Sequence, residues 1–338
     1  MSQAAPSSRQ EQFSGTKEVT EQHRIDEAKL AEWLAAHVEG YEGPLTVRQF
    51  KGGQSNPTYQ LVTAKQKYVL RRKPPGKLLP SAHAVDREFR VMSALAGAGF
   101  PVPRPLAFCD DDAIVGTMFY VMEHVPGRVF SDCTMPDLAP AERAAVYDSV
   151  NETLARLHSL DYAALGLADF GRPGNYYSRQ IARWSEQYRA SKTVELPEMD
   201  RLAAWLPTAI PADDRTTLIH GDFSFHNVLV HPTEPRVVAV LDWELWTIGH
   251  PLADLGFNAL MYHIPEPPAG MAGQDHHALG LPTEAEYVAA YCRRTGRDDG
   301  IGDWNFYVIY NLFKLAAILQ GVYKRALDGT AASPKSLE

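Results

Sequence analysis

The chain has 338 residues, a formal net charge of −8 and no long run of Lys or Arg, which argues against a generic nucleic-acid-binding surface. Its three cysteines, Cys109, Cys133 and Cys292, are too few and too scattered to indicate a disulfide framework or a cysteine-based zinc site. No continuous apolar run approaches the ~20 residues that span a bilayer, and the polar N terminus lacks a secretory signal, so we expect a cytoplasmic protein without a membrane partner.

The N-terminal part predicts a polar arm, one helix and then strands. Residues 1–22 are rich in Ser, Gln and Glu, and we expect them to form a mobile arm. Apolar residues recur at helical spacing over 26–39, and strand patterns follow over 45–50, 58–64 and 67–72. Alternation along the last of these strands places Arg71 and Arg72 on opposite faces.

A glycine pair lies between the first two strands. The segment is Gly52, Gly53, Gln54, Ser55 and Asn56. Small residues there would let backbone N–H groups approach a phosphate closely, although most such pairs are ordinary turns.

Further helices are predicted over 81–98, 140–160, 175–189, 283–295 and 304–327, with two more strands at 106–109 and 117–123. Arg179 and Arg183 stand four residues apart on one helical face, which is usually a solvated face but could bind the phosphates of an anionic substrate. The literal sequence Asp-Phe-Gly at 169–171 precedes the segment described next, and we interpret it as a turn.

The most informative segment runs from 217 to 256. Two apolar runs predict buried strands, and Asp222 and Asp242 follow them. His220, Asp222 and Asn227 reproduce the spacing H-R-D-x-x-x-x-N of the protein-kinase catalytic loop, with Asp242 in the place of the metal-binding aspartate. Asp222 would accept or orient the proton of the substrate hydroxyl, while Asn227 and Asp242 would offer hard oxygen ligands to Mg²⁺. Although His-Gly-Asp alone is more often a capped turn, the combination of three ligand types favours a phosphotransferase site.

Additional motifs make the chain resemble the aminoglycoside phosphotransferase and choline kinase group. They are Gly221, where protein kinases carry Arg, the pair Trp243-Glu244, and GHPLADLG over 249–256. A narrower likeness, to the branch related to kinase domains joined to certain animal acyl-CoA dehydrogenases, rests on RRKPPGKLLPSAHAVDREFRV and DFGRPGNYYSRQIARW. The resemblance implies an α+β, bilobal protein-kinase-like fold, with a small antiparallel-sheet N-lobe bearing one helix and a larger, mostly helical C-lobe.

The resemblance also implies domain limits and nucleotide-binding roles. The chain would divide into an arm at 1–22, an N-lobe at 23–124, a C-lobe at 125–327 and a flexible tail at 328–338. The residues that would bind ATP are Gly52, Gly53, Gln54, Ser55, Asn56, Arg71, Glu88, Glu123 and Val125. Arg71 would bind the phosphates in place of the kinase lysine, and Lys73 is the alternative candidate for this role. Glu88 would pair with Arg71 rather than face solvent. Backbone groups near Glu123 and Val125 would meet the adenine ring.

The function implied is ATP- and Mg²⁺-dependent phosphorylation of a hydroxyl on a small molecule. A hydroxyacyl-CoA is the expected acceptor, with Lys77 and Arg179 as candidates for its CoA phosphates. One alternative is a kinase of a cationic aminoglycoside or choline-type acceptor, but the acids in the regions expected to form the acceptor pocket make no obvious cluster. A second alternative is a nucleotide-binding pseudokinase. The residues leave open the acceptor, the choice between ATP and GTP, and the oligomeric state.

Overall fold

The structure is a computed structural model that describes residues 15–51, 56–75, 84–265 and 270–329. The chain divides into two compact units. Unit 1 comprises the chain up to Ser131 together with His226–Glu244, and unit 2 comprises Asp132–Phe225 and the chain from Leu245 onward.

Unit 1 is built on an antiparallel sheet of six strands in the order β1-β2-β3-β4-β6-β5. The strands are β1 Thr16–Lys17, β2 Thr46–Phe50, β3 Thr58–Val62, β4 Lys67–Arg72, β5 Pro105–Cys109 and β6 Phe119–Glu123. Three helices accompany the sheet, namely α1 Glu27–His37, α2 Val85–Gly97 and α3 Asp112–Val115. Apolar side chains from α1 and the sheet, including Leu34 and Tyr59, form a buried core.

Two predictions for unit 1 need correction. Thr16–Lys17 pairs with Phe50 and Gln49 of β2, because its backbone groups extend the sheet edge, so the predicted mobile arm at 1–22 is wrong for this part. Residues 1–14 lie outside the described residues. The prediction of one helix in this lobe was also wrong, since α1, α2 and the short α3 all belong to unit 1.

A hairpin from later in the chain completes unit 1. It consists of β8 Val228–Val230 and β9 Val237–Val240, which follow β7 Thr217–Ile219 in the chain. The Arg128 N–H donates to the carbonyl oxygen of Val230 at 2.7 Å, and the Val240 N–H donates to the carbonyl of Pro101 at 2.8 Å. These bonds explain why unit 1 extends to Ser131 and includes the hairpin, whereas the sequence placed a single boundary after residue 124.

Unit 2 is mainly helical. Its helices are α4 Pro140–His158, α5 Tyr176–Ser191, α6 Pro197–Trp205, α7 Leu252–Asn258, α8 Glu284–Arg294 and α9 Trp304–Leu327. The antiparallel strand pair β7 and β10, the latter Thr247–Gly249, presents the loop that follows Ile219. The two units together confirm the predicted α+β class with an antiparallel-sheet part and a mostly helical part.

Helix α9 is the one helix in the described part of the chain that is long and apolar enough to cross a membrane by length and composition. Its side chains Phe306, Tyr310 and Phe313 are buried, and the helix packs against α5 and α7. These contacts account for the apolar composition as that of a core helix within unit 2.

Candidate active site

Arg71 is the centre of a charged cluster in unit 1. Its Nε lies 2.8 Å from Oε2 of Glu88, and its Nη2 lies 2.6 Å from Oδ1 of Asp242 and 3.5 Å from Oε2 of Glu244. Burial acts to lower the pKa of Arg71, but the neighbouring carboxylates outweigh it and the pKa is raised. Arg72 points to the opposite face of β4, where Nη1 donates to the carbonyl of Val115 at 2.5 Å. The predicted alternation of the two arginines is therefore present.

Glu88 is held in place from three sides. It projects from α2, is 1 % exposed, and accepts hydrogen bonds from Asn56 Nδ2 at 3.0 Å and from the Tyr120 hydroxyl at 2.9 Å, besides pairing with Arg71. Burial raises the pKa of Glu88, while Arg71 opposes the shift. A fixed carboxylate of this kind restricts the guanidinium to one orientation.

Asn56 belongs to the segment whose backbone N–H groups we predicted to approach a phosphate. Its side chain is fully buried and donates a hydrogen bond to Glu88. The side chain therefore supports the Arg71–Glu88 pair. Gly52, Gly53, Gln54 and Ser55 lie outside the described residues.

The β8–β9 hairpin brings together the two residues predicted to bind metal. Val228 pairs with Val240, and the Leu241 N–H donates to the carbonyl oxygen of Asn227 at 2.7 Å, so Asn227 lies beside the residue that precedes Asp242. Asp242 has a positive φ of 62°, a backbone conformation that a non-glycine residue adopts mainly where its surroundings enforce it. Buried Trp243 fixes this turn through a hydrogen bond from Nε1 to the Val240 carbonyl at 3.0 Å.

The donor chemistry of this pair fits a magnesium ion bound together with a nucleotide. An ionised carboxylate and a neutral amide are hard oxygen ligands, and Mg²⁺ in kinases takes its remaining ligands from phosphates and water. Among residues 15–51, 56–75, 84–265 and 270–329 there is no cluster of three or more His, Cys, Asp or Glu able to hold a metal alone. Asn227 and Asp242 are the residues of unit 1 whose donor atoms fit a Mg²⁺ ion.

In unit 2 the loop after β7 carries Asp222. Gly221 has a φ of 86°, and a Cβ there would lie 2.4 Å from the carbonyl oxygen of Leu245, so glycine is required on both conformational and steric grounds. The Asp222 N–H donates to Nδ1 of buried His220 at 3.2 Å. These contacts fix the backbone conformation of the loop at Asp222.

Asp254 fixes this loop from below. Its two carboxylate oxygens accept the N–H groups of His220 at 2.6 Å and Gly221 at 2.8 Å, and His158 Nε2 lies 3.3 Å from Oδ2. Although burial acts to raise it, the pKa of Asp254 is lowered by His158, His220 and the backbone donors. A buried carboxylate with these partners gives the backbone before Asp222 one defined position.

Sequence reasoning assigned no role to Asp254, although it quoted the motif GHPLADLG that contains it. The available signal was an acid inside an apolar helical segment, because a buried carboxylate needs several donors. Lys314, on the core side of α9, gave a similar signal and was also missed. Its Nζ donates to the Gly221 carbonyl oxygen at 3.0 Å.

The remaining predictions concern Glu123, Val125, Arg179, Arg183, Lys77 and the turn at 169–171. Glu123 ends β6, where its N–H donates to the Arg104 carbonyl, and half-buried Val125 lies just beyond. Arg179 donates to the carbonyl oxygens of Gly174 and Arg172, so it stabilises the turn before α5. The predicted turn at 169–171 is a one-turn 3-10 helix followed by a tightly packed glycine. Arg183 is exposed, and Lys77 lies outside the described residues.

Comparison with known proteins agrees with this arrangement. Residues 46–298 match the family model described as the phosphotransferase enzyme family. A crystal structure from Ralstonia eutropha JMP134, described as a candidate aminoglycoside phosphotransferase, is 51% identical, covers 93% of both chains and superposes with a TM-score of 0.85.

Curated relatives are longer proteins. The chain is 48% identical over 95% of its length to acyl-CoA dehydrogenase family member 11 of Rattus norvegicus, and 49% identical over 86% to family member 10 of Mus musculus. It spans 42% and 27% of these two relatives. The family match covers most of the chain and establishes that the chain belongs to the phosphotransferase enzyme family.

Proposed function

We propose that this chain transfers the γ-phosphoryl group of ATP to the hydroxyl of a hydroxyacyl-CoA. The observation that carries the proposal is the identity of nearly half of all residues, over almost the whole chain, with proteins named for acyl-CoA dehydrogenation. Those relatives join a domain of this kind to a longer chain whose name specifies acyl-CoA. A kinase acting on a hydroxylated acyl-CoA would share its substrate class with such a partner domain.

Unit 1 supplies the nucleotide-binding groups in this proposal. Arg71, oriented by Glu88, contacts phosphate oxygens of ATP, for which a planar guanidinium is suited. Asp242 and Asn227 would hold Mg²⁺, which when bound would neutralise charge on the phosphates. Backbone groups near Glu123 and Val125 would meet the adenine ring.

Unit 2 supplies the group that handles the acceptor. Asp222 accepts the hydroxyl proton as the acceptor oxygen forms its bond to the γ-phosphorus and the bond to the ADP oxygen breaks. Asp254 acts indirectly, because its hydrogen bonds to His220 and Gly221 set the position of the loop. Most of the rate acceleration expected from these groups is positional and electrostatic.

The experiment is an ADP-release screen with purified protein, ATP and Mg²⁺ over hydroxyacyl-CoA thioesters, aminoglycosides, choline and amino alcohols. We expect turnover with at least one hydroxyacyl-CoA and a product heavier by one phosphoryl group in mass spectrometry. Asp222→Asn protein, prepared identically, controls for contaminating kinases. Turnover confined to the other acceptors, or equal in the variant, would refute the proposal.

An aminoglycoside acceptor is the second candidate. It is favoured by the 51% identity to the Ralstonia eutropha structure described as a candidate aminoglycoside phosphotransferase. In the same screen, ADP release with aminoglycosides and none with hydroxyacyl-CoA would select this alternative. ATP binding without turnover of any acceptor would instead support a pseudokinase.

A further inference from the structure

Lys314 places a positive charge directly beside the catalytic loop of unit 2. It extends from α9, is half-buried, and its Nζ donates to the carbonyl oxygen of Gly221 at 3.0 Å. Gly221 directly precedes Asp222 in the chain. An ammonium donates up to three hydrogen bonds, so this contact leaves Lys314 with capacity for other oxygen atoms.

Two aromatic rings face the same ammonium. Nζ lies 5.1 Å from the ring centroid of Phe257 and 5.9 Å from that of Trp184. Aromatic faces of this kind are what a kinase of choline-type or other cationic acceptors needs for cation–π recognition. In this chain the ammonium of Lys314 itself takes that position, so a cationic acceptor approaching these rings would meet a like charge.

The charged groups near Lys314 are two carboxylates and a second cation. Burial lowers the pKa of Lys314, while Asp254 and Asp222 oppose the shift and the nearby Arg183 adds to it. Arg183 is an exposed cation on α5 next to Trp184. Lys314 and Arg183 both lie against the ring of Trp184, so two cations stand at this aromatic face, beside the carboxylates of Asp222 and Asp254. An amine that approached the ring would meet like charge, whereas an electron-rich group would be attracted.

We infer that Lys314 is a specificity-determining residue, whose ammonium selects acceptors that carry a carboxylate or carbonyl oxygen near the hydroxyl and rejects cationic acceptors. The inference rests on the proposed function and narrows its acceptor class. Both a thioester carbonyl and a free carboxylate offer the required oxygen. A merely structural role, in which Lys314 only holds the Gly221 carbonyl, would affect every acceptor alike.

The test compares three acceptors with hydroxyls at the same position, namely a hydroxyacyl-CoA, the corresponding free hydroxy acid and an amino alcohol. Values of kcat and KM are measured for the wild type, Lys314→Met, Lys314→Gln and Lys314→Arg. Lys324→Met is the matched control, because Lys324 lies on the same helix and its Nζ donates to the exposed carboxylate of Asp328. Thermal melting with and without ATP establishes which variants fold.

We expect the wild type to prefer the acceptors that carry carbonyl or carboxylate oxygens. Lys314→Met and Lys314→Gln should lower kcat/KM for these acceptors by at least about tenfold, mainly through KM, because a charge-assisted hydrogen bond is lost. The same variants should raise kcat/KM for the amino alcohol relative to kcat/KM for the acceptors with carbonyl or carboxylate oxygens. Lys314→Arg and Lys324→Met should keep the wild-type order. The acceptor whose kcat/KM falls more, the hydroxyacyl-CoA or the free hydroxy acid, carries the oxygen that Lys314 contacts.

Two results would be adverse, and they differ from each other. If the wild type turns over these acceptors and both neutral variants change all three values by the same factor, the selectivity assigned to Lys314 is wrong and the proposed function stands. If the folded wild type binds ATP but turns over neither the hydroxyacyl-CoA nor the hydroxy acid, the proposed function fails and the inference fails with it.

Discussion

The guanidinium of Arg71 contacts the carboxylate of Asp242, with 2.6 Å between Nη2 and Oδ1. One residue was predicted to hold phosphates and the other to hold the metal. Their contact brings the residues of these two predicted roles together in unit 1, and the same guanidinium also pairs with Glu88. The cluster thus links β4, α2 and the turn after β9 through charge as well as packing.

Replacing Arg71 should therefore impair nucleotide binding. Arg71→Met is expected to raise KM for ATP at least about tenfold, because a charge-assisted contact to phosphate is lost and Glu88 keeps a buried carboxylate without its cation. Arg71→Lys should be intermediate, since one ammonium cannot reproduce the planar fork. Steady-state kinetics with varied ATP measure both effects.

Arg72→Met is the matched control for this experiment. Arg72 is also buried, yet it lies on the opposite face of β4 and donates to the Val115 carbonyl. We expect it to lower the melting temperature while leaving KM for ATP nearly unchanged. Equal effects of the two substitutions on KM would show that Arg71 acts only through folding.

Asp222→Asn should abolish most phosphoryl transfer while ATP binding survives. An amide cannot accept the hydroxyl proton, and loss of a positioned general base costs roughly two to four orders of magnitude in turnover. The measurements are ADP release under saturating acceptor and calorimetric ATP binding. Wild-type turnover in the variant would remove Asp222 from the proposed role.

Asp242→Ala should act on metal-dependent binding. Calorimetry with ATP is expected to show tighter binding with Mg²⁺ than with EDTA for the wild type, and little difference for the variant, because the only charged oxygen ligand of the pair is gone. Asn227→Ala removes a neutral ligand, so it should weaken the magnesium dependence of ATP binding less than Asp242→Ala does. An undiminished magnesium effect in Asp242→Ala would place the ion elsewhere.

Asp254→Asn tests the support beneath the catalytic loop. The amide can accept only one of the two N–H groups from His220 and Gly221, so we expect a loss of about 3 kcal/mol in the free energy of unfolding. Turnover should fall at least about tenfold because Asp222 is displaced. Urea unfolding and kcat are measured, with exposed Asp200→Asn as the control. A stable variant with wild-type kcat would exclude the positioning role.

The sequence was sufficient where a prediction depends on local spacing. Alternation along β4 separated Arg71 from Arg72, and the interval from His220 to Asn227 was enough to predict a catalytic loop. The turn at 169–171 was recognised because its order in the chain was incompatible with a metal-binding aspartate.

Contacts between residues far apart in the chain could not be predicted from the sequence. Asn56 belongs to a contiguous glycine-rich motif, yet its amide contacts Glu88 on a helix further along the chain. Asp254 binds residues of a different loop and His158 of α4, none of which its neighbours in sequence reveal. The hairpin carrying Asn227 and Asp242 joins unit 1 through Arg128 and Pro101, so contiguous domain limits could not describe it.

His250 should make the stability of unit 2 dependent on pH. It is 1 % exposed, stacks on Tyr307, and its Nδ1 accepts the Leu252 N–H at 3.2 Å. Burial lowers the pKa of His250 to about 4, although Asp213 acts to raise it. In the unfolded chain a histidine has a pKa of about 6.5, so between about pH 6.5 and pH 4 the unfolded state binds a proton that the folded state does not.

The free energy of unfolding should therefore fall as the pH is lowered through this window. The contribution of His250 is about 2 kcal/mol between pH 7 and pH 5, from the difference in proton binding. Urea unfolding of the wild type and His250→Asn at both pH values isolates it, because the variant cannot take up this proton. Exposed His277→Asn serves as the control and should behave as the wild type. Parallel losses in the wild type and His250→Asn would show that the histidine is not responsible.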